Sequence, residues 1–329
     1  MKKTLVALAA VAVTGGAFAQ ATMTGAIAYG FSSLTSSSNV TTSGFGVEDA
    51  EINFAISEDL DGGNKLSAGF GFGGGGKGAA VTANDWNLTL ANATGAKLVM
   101  KTAYGAEYLS GGVAAAGSNY EIDLTYTGLV TRTTNDTVAV SFPVFEGTTL
   151  TVTHAEPDSA IGGGSAANIG ILATTTTTSA TVQRYNTAAL TYKAGPLVVD
   201  GQYRSYDDQA PLNTVYANTK NRLSASYDMG VAKIGAGIDT TTYTYGNSNT
   251  KTLLGLHVPL GALSLGGQLI TVTTSGNATA ASNYTRNGSL VGGKYDLSKR
   301  TWATAQYYTA DVGGTSNING YVISLYNSF

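Results

Sequence analysis

The sequence predicts an all-β protein: a transmembrane antiparallel β-barrel of sixteen strands, with a long third loop folded into the lumen. Three observations predict it. Apolar residues recur with a period of two in short runs along the chain, the signal of strands with one apolar face. Charge is scarce, at 12% of residues, about half the usual share. Short and long connections alternate from one end to the other.

The chain opens with Lys2 and Lys3, an apolar stretch from Leu5 to Val13, and the small-x-small run Ala17-Phe18-Ala19. That pattern predicts a secretory signal peptide over 1–19, too short for a permanent span, leaving 20–329 as a single outer-membrane barrel domain. Losing the two lysines takes the formal charge from −3 to −5. There is no cysteine, so an oxidising compartment adds no disulfide. No basic cluster is present, and nucleic acid is excluded as a partner.

After the signal, the elements read as strands. In 22–31, Met23, Ile27, Tyr29 and Phe31 alternate with Thr22, Thr24, Ala26 and Ala28. In 49–57, Ala50, Ile52, Phe54 and Ile56 alternate with Asp49, Glu51, Asn53 and Ser57. Trp86, Leu88 and Leu90 follow the same rule, as do Leu223, Ala225, Tyr227 and Met229, and finally Tyr321, Ile323 and Leu325. Residues 253–270 are apolar enough for a spanning helix, but Pro259 and Gly261 interrupt them and predict a hairpin. Tyr29, Tyr108, Tyr192, Tyr227, Tyr295 and Tyr326, with Phe31, Phe72 and Phe329, are expected in two interfacial girdles.

Seven short connections fall near 58–63, 91–95, 143–147, 194–196, 228–231, 259–262 and 297–300. Eight long ones fall near 32–45, 73–84, 104–136, 156–180, 207–219, 244–250, 274–285 and 311–317. Fifteen connections imply sixteen strands. Residues 119–127 also alternate, but a seventeenth strand would invert every later short turn, so they are assigned to the third loop. Lipid offers backbone amides no partners, so the sheet must close. Sixteen strands enclose more space than side chains fill, and water occupies the rest. The expected function is passive diffusion of ions and small hydrophilic solutes.

Enzyme-like signals fail. Residues 71–77 have the spacing of a phosphate loop, but Gly78 stands where Ser or Thr belongs and no helix follows. His154 and His257 are the only histidines, too few for a metal site or a nucleophile–base set, and no cofactor is expected. Asp59 and Asp61 read as turn acids.

The chain as a whole resembles a general outer-membrane porin of the β-proteobacterial, Gram-negative type. The resemblance rests on the opening MKKTLVALAA, the block 49–72 (DAEINFAISEDLDGGNKLSAGFGF), the long third loop and the terminal Phe329. It differs at Ala55-Ile56-Ser57, where the family has a basic Gly-Phe-Lys/Arg-Gly run, and at Asn327, where an apolar residue is usual. The resemblance implies a homotrimer in outer-membrane lipid. It also implies recognition by the barrel-insertion machinery through the last strand, with Phe329, Leu325, Ile323 and Tyr321.

A pore needs a narrowing. Glu107, Glu121 and Asp123 on the third loop are expected opposite inward Lys65, Lys97 and Lys101, with Arg204 lining the outer half of the lumen. Opposite charges about 9 Å apart are worth about 0.5–2 kcal/mol between water-like and intermediate dielectrics, a few-fold to about thirtyfold in passage. The rival readings are a solute-specific channel, which would carry an aromatic track, an outer-membrane hydrolase, and a secreted or surface β-rich adhesin displaying loops such as 156–181.

Overall fold

The computed structural model describes residues 19–74, 82–106, 132–157, 184–207, 217–243, 246–276, 283–313 and 316–329. Sixteen strands run through them: β1 (Ala19–Thr35), β2 (Thr41–Leu60), β3 (Asn64–Gly73), β4 (Thr82–Ala91), β5 (Lys97–Ala106), β6 (Arg132–Phe145), β7 (Thr148–Pro157) and β8 (Tyr185–Ala194) form the first half. The second half is β9 (Leu197–Tyr206), β10 (Ala217–Asp228), β11 (Lys233–Tyr243), β12 (Ser248–Leu260), β13 (Leu263–Ser275), β14 (Tyr284–Asp296), β15 (Thr301–Ala310) and β16 (Ile318–Ser328). Each strand pairs antiparallel with its sequence neighbours, and β16 pairs with β1 to close the ring. No edge remains, as a sheet in hydrocarbon requires.

The short connections gather at one end. Between β6 and β7 only Glu146 and Gly147 turn the chain, with Gly147 at φ 70° and its Lys193-facing side too close to the Lys193 carbonyl to admit a side chain. The strand ends that the long connections join lie at the other end. The 253–270 stretch is a hairpin, with β12 ending at Leu260 and β13 starting at Leu263.

The first loop and the first short turn are both tighter than expected. The first loop shrinks to 36–40 because β1 and β2 extend past the alternating apolar region, pairing Ser33 with Ser43 and Thr35 with Thr41. Those Ser, Thr and Gly residues show no apolar period because that part of the wall rises beyond the lipid. For the same reason β2 continues to Leu60 through acidic Glu58 and Asp59.

Alternation sorts side chains into an outer and an inner face. Met23, Ile27, Tyr29, Leu223, Leu254, Leu269, Val291, Ile323 and Leu325 face out and are 50–58% exposed. Apolar exposure right around a molecule far exceeds the few-hundred-Å² patches of soluble monomers. Strands of about ten residues rising ~3.3 Å each at a ~40° tilt span about 25 Å, the height of the apolar zone they face.

Tyr29, Tyr192, Tyr227 and Tyr295 are among the outward residues. Tyr326 is not. It shares the inward parity of Val322 and Ser324, is 1% exposed, and stacks on Trp302 with ring centroids 5.4 Å apart. Its neighbours Leu325 and Asn327 face out instead, where Asn327 donates to Thr301 Oγ1 at 2.8 Å. Tyr108 and the 119–127 segment lie outside the described residues.

Candidate functional site

The inner wall carries the polar half of the alternation, and its charges are not mixed evenly. On β2 and β4, Glu48, Asp49, Glu51 and Asp85 point inward. A register shift between Ala28 and Tyr29 bulges β2 at Glu48, turning its carboxylate to accept a hydrogen bond from the Ser324 hydroxyl. Bulges re-aim side chains in this way.

Across the ring, β9, β10, β12 and β14 present Arg204, Lys220, Arg222, Lys251 and Arg286. Strands β2 and β10 stand eight places apart in a ring of sixteen, so the acidic and basic arcs face each other over the bore. Within the basic arc, Lys220 pairs in register with Arg204, while Asp239 lies between Arg222 and Lys251. Arg222 Nε donates to Asp239 Oδ2 at 2.8 Å, and Nη2 lies 2.6 Å from the same oxygen.

Aromatic rings hold the arginines in place. The Arg204 guanidinium lies 3.7 Å from the Tyr185 ring centre and 5.8 Å from that of Tyr206. Arg286 sits 4.1 Å over Tyr284. Such stacking suits the flat, weakly hydrated guanidinium.

The sequence-selected lysines fall at two levels. Lys65 and Lys97 both pair with Ala91, so they flank β4 close to the short-turn end. Lys101 stands four residues further along β5, about 13 Å higher on the strand, paired with Asn87 and Thr137. All three have inward parity, opposite to outward Leu66, Leu98 and Met100. Arg204 lies six strands from Lys65, near the loop end of β9. Glu107, Glu121 and Asp123 lie outside the described residues.

The acidic arc, Lys220, Arg222, Asp239, Lys251 and Arg286 were not singled out from the sequence as lining residues. Parity with a neighbouring apolar residue could have found several of them: Arg222 precedes outward Leu223, and Asp239 follows outward Ile238. Which arc faces which needs the closed ring.

Magnitudes say what this wall can do. Sixteen strands about 4.8 Å apart and tilted about 40° give a backbone cylinder about 32 Å across. Side chains leave about 20 Å between the arcs, where a charge pair in water is worth about 0.2 kcal/mol. That separation also exceeds the Debye length of about 8 Å at physiological salt. A bare cylinder of this width passes small solutes and discriminates weakly.

One stretch of the inner wall is apolar. Leu253, Ile270, Val272, Leu290, Tyr308 and Val322 project inward from β12–β16 and are at most 5% exposed. Inward residues of an open bore this wide would touch water.

Comparison with known proteins gives the same architecture. The family model described as Gram-negative porin matches residues 4–315. Among solved structures, the anion-selective porin from Comamonas acidovorans is similar at 15% identity, with a TM-score of 0.70, covering 94% of this chain and 100% of that one. OmpT, an outer membrane protein of Vibrio cholerae in trimer form, is similar at 12% identity and TM-score 0.67, covering 95% and 100%. A triple mutant of Rhodopseudomonas blastica porin follows at 12% identity and TM-score 0.61, covering 94% and 100%. A search of curated proteins finds no match.

Proposed function

The chain belongs to the Gram-negative porin family, and on that premise we propose how its bore sorts what passes. It is a passive diffusion pore of the outer membrane. One observation carries this function: a closed ring of sixteen strands with an apolar outside and a charged, polar inside.

The sorting step is placed at a narrowing made by the third loop. Arcs about 20 Å apart act weakly, whereas charges about 9 Å apart act up to tenfold more strongly once the dielectric also falls. The third loop, 104–136, is read as folding inward to make that narrowing. Glu107, Glu121 and Asp123 then stand in the bore, with Lys101 and the basic arc facing them and Lys65 and Lys97 nearer the exit. Arg204 lines the loop-side half.

The pore is further read as a homotrimer exported through the 1–19 signal, with short turns on the periplasmic side. The last strand, with Tyr321, Ile323, Leu325 and Phe329, is read as the segment recognised by the insertion machinery. The family and fold are those of a channel.

Planar-bilayer recording under a salt gradient tests the narrowing. Glu121→Gln with Asp123→Asn is expected to move the reversal potential toward anion preference by a few-fold in permeability ratio. An unchanged reversal potential and conductance would remove these residues from it.

A further inference from the structure

Four places in the sequence put a glycine directly after Asp or Asn: Asp61-Gly62, Asp200-Gly201, Asn287-Gly288 and Asn319-Gly320. Such pairs carry a chemistry of their own. With no side chain on the second residue, its backbone nitrogen can swing onto the carbonyl carbon of the preceding side chain and close a five-membered imide. What decides the reaction is how freely that nitrogen moves.

The fold treats the four pairs differently. Gly201 is paired with Leu190 and Leu223, Gly288 with Ile270 and Ala310, and Gly320 with Tyr308 and Leu34. Each lies inside a two-sided ladder, where turning the peptide plane toward the side chain breaks hydrogen bonds to a neighbouring strand. Two of the side chains are held as well. Asp200 Oδ1 accepts from Thr191 Oγ1 at 2.7 Å, and Asn287 Oδ1 accepts from Thr271 Oγ1 at 2.8 Å.

Asp61-Gly62 has none of these restraints. The β2–β3 ladder ends at the rung between Leu60 and Asn64, so residues 61–63 cross between the strands without a ladder partner. Gly62 and Gly63 take φ of 74° and 77°, a region that residues with side chains rarely enter. Asp61, Gly62 and Gly63 are all exposed. Among the described residues, the Asp61 carboxylate accepts no hydrogen bond and joins no ion pair. One contact is placed on the reacting unit: Asn64 Nδ2 donates to the Asp61 main-chain oxygen at 3.0 Å.

We propose that Asp61-Gly62 is the place where this chain rearranges to isoaspartate. The Gly62 nitrogen attacks Asp61 Cγ; the new C–N bond forms, the nitrogen gives up its proton, and one carboxyl oxygen leaves as water. Water then adds to one of the two imide carbonyls. Addition at Cγ restores aspartate. Addition at the main-chain carbonyl carbon breaks its bond to the Gly62 nitrogen, so the chain now runs through Cγ and the old main-chain carbonyl becomes a carboxylate. No oxidant or reductant enters, and the final mass is unchanged. Asn64 Nδ2 sits on the oxygen where negative charge builds in this second route, and on the carboxylate that it leaves. It is a positioning residue that favours the rearranged product.

Peptide mapping of the folded protein, aged warm in detergent at neutral pH, tests this. Two equal-mass peptides carrying residue 61 are expected, the new one taking a labelled methyl group from an isoaspartyl methyltransferase. The peptides carrying Asp200, Asn287 and Asn319 should stay single and unchanged in mass. Heat-unfolded chain aged beside it should react at all four pairs, because the protecting ladders are gone. Asp61→Glu, which keeps the charge but needs a larger ring, should abolish the new peptide. Asn64→Ala should lower the isoaspartate share severalfold, while uptake of labelled water oxygen at Asp61, which counts passages through the imide, continues. Isoaspartate forming in the folded protein first at a strand pair, or nowhere, would overturn the site. An unchanged share in Asn64→Ala would overturn the part given to Asn64.

Discussion

At the scale of single residues, the inner wall is organised by which charge has a partner. Asp239 is 1% exposed and placed between Arg222 and Lys251, so its loss strands a guanidinium whose side chain is 8% exposed. Breaking a buried pair from one side costs about 3–5 kcal/mol. Asp239→Asn is therefore expected to lower the temperature at which the folded barrel unfolds in detergent, and to shift the reversal potential toward anions. Arg222→Met combined with Asp239→Leu should restore most of the stability without the selectivity shift. Equal stability of Asp239→Asn and the wild type would show that the pair contributes nothing. Residues such as Lys65, Lys97 and Lys101 were legible from parity alone, because each adjoins an outward Leu or Met. Tyr326 was not: a tyrosine suits both the membrane interface and a polar lumen, and only its register with Ala28 and Trp302 decides.

At the scale of elements, strand number was legible because turn chemistry marks each reversal. Asp61-Gly62-Gly63, Gly147 and Gly261 sit where the backbone takes positive φ or reverses within a few residues. Strand ends were less legible, since alternation appears only where one face meets lipid. The closing seam shows what the last element demands of the first. Gly25 and Phe329 exchange both backbone hydrogen bonds, at 3.1 and 3.0 Å. The Phe329 ring occupies the space a Gly25 side chain would take, and that side chain would also sit 2.6 Å from the Glu51 carbonyl. Gly25→Val should cost about 1–3 kcal/mol by overpacking, seen as a lower temperature for the shift from compact to unfolded mobility on a detergent gel. Adding Phe329→Ala should recover part of the loss, because the two sites are coupled. Simple additivity would place the clash elsewhere.

At the scale of the whole molecule, the barrel was legible because composition and period agree: few charges, one apolar face and fifteen reversals permit a closed cylinder in lipid and little else. The opposed charge clusters on β2 and β4 and on β9–β14 were not legible, since no local pattern says which strands face each other across a ring. Their field is weak at full bore width, which is why a narrowing governs selectivity in this account while the wall sets only its background. The central claim is that the cylinder holds continuous water from end to end. Single-channel recording of the purified protein in a planar bilayer tests it most directly. Stepwise, ohmic current increments that scale with bulk salt conductivity are predicted. A protein that inserts but carries no current, or one that stays soluble without detergent and never inserts, would contradict it.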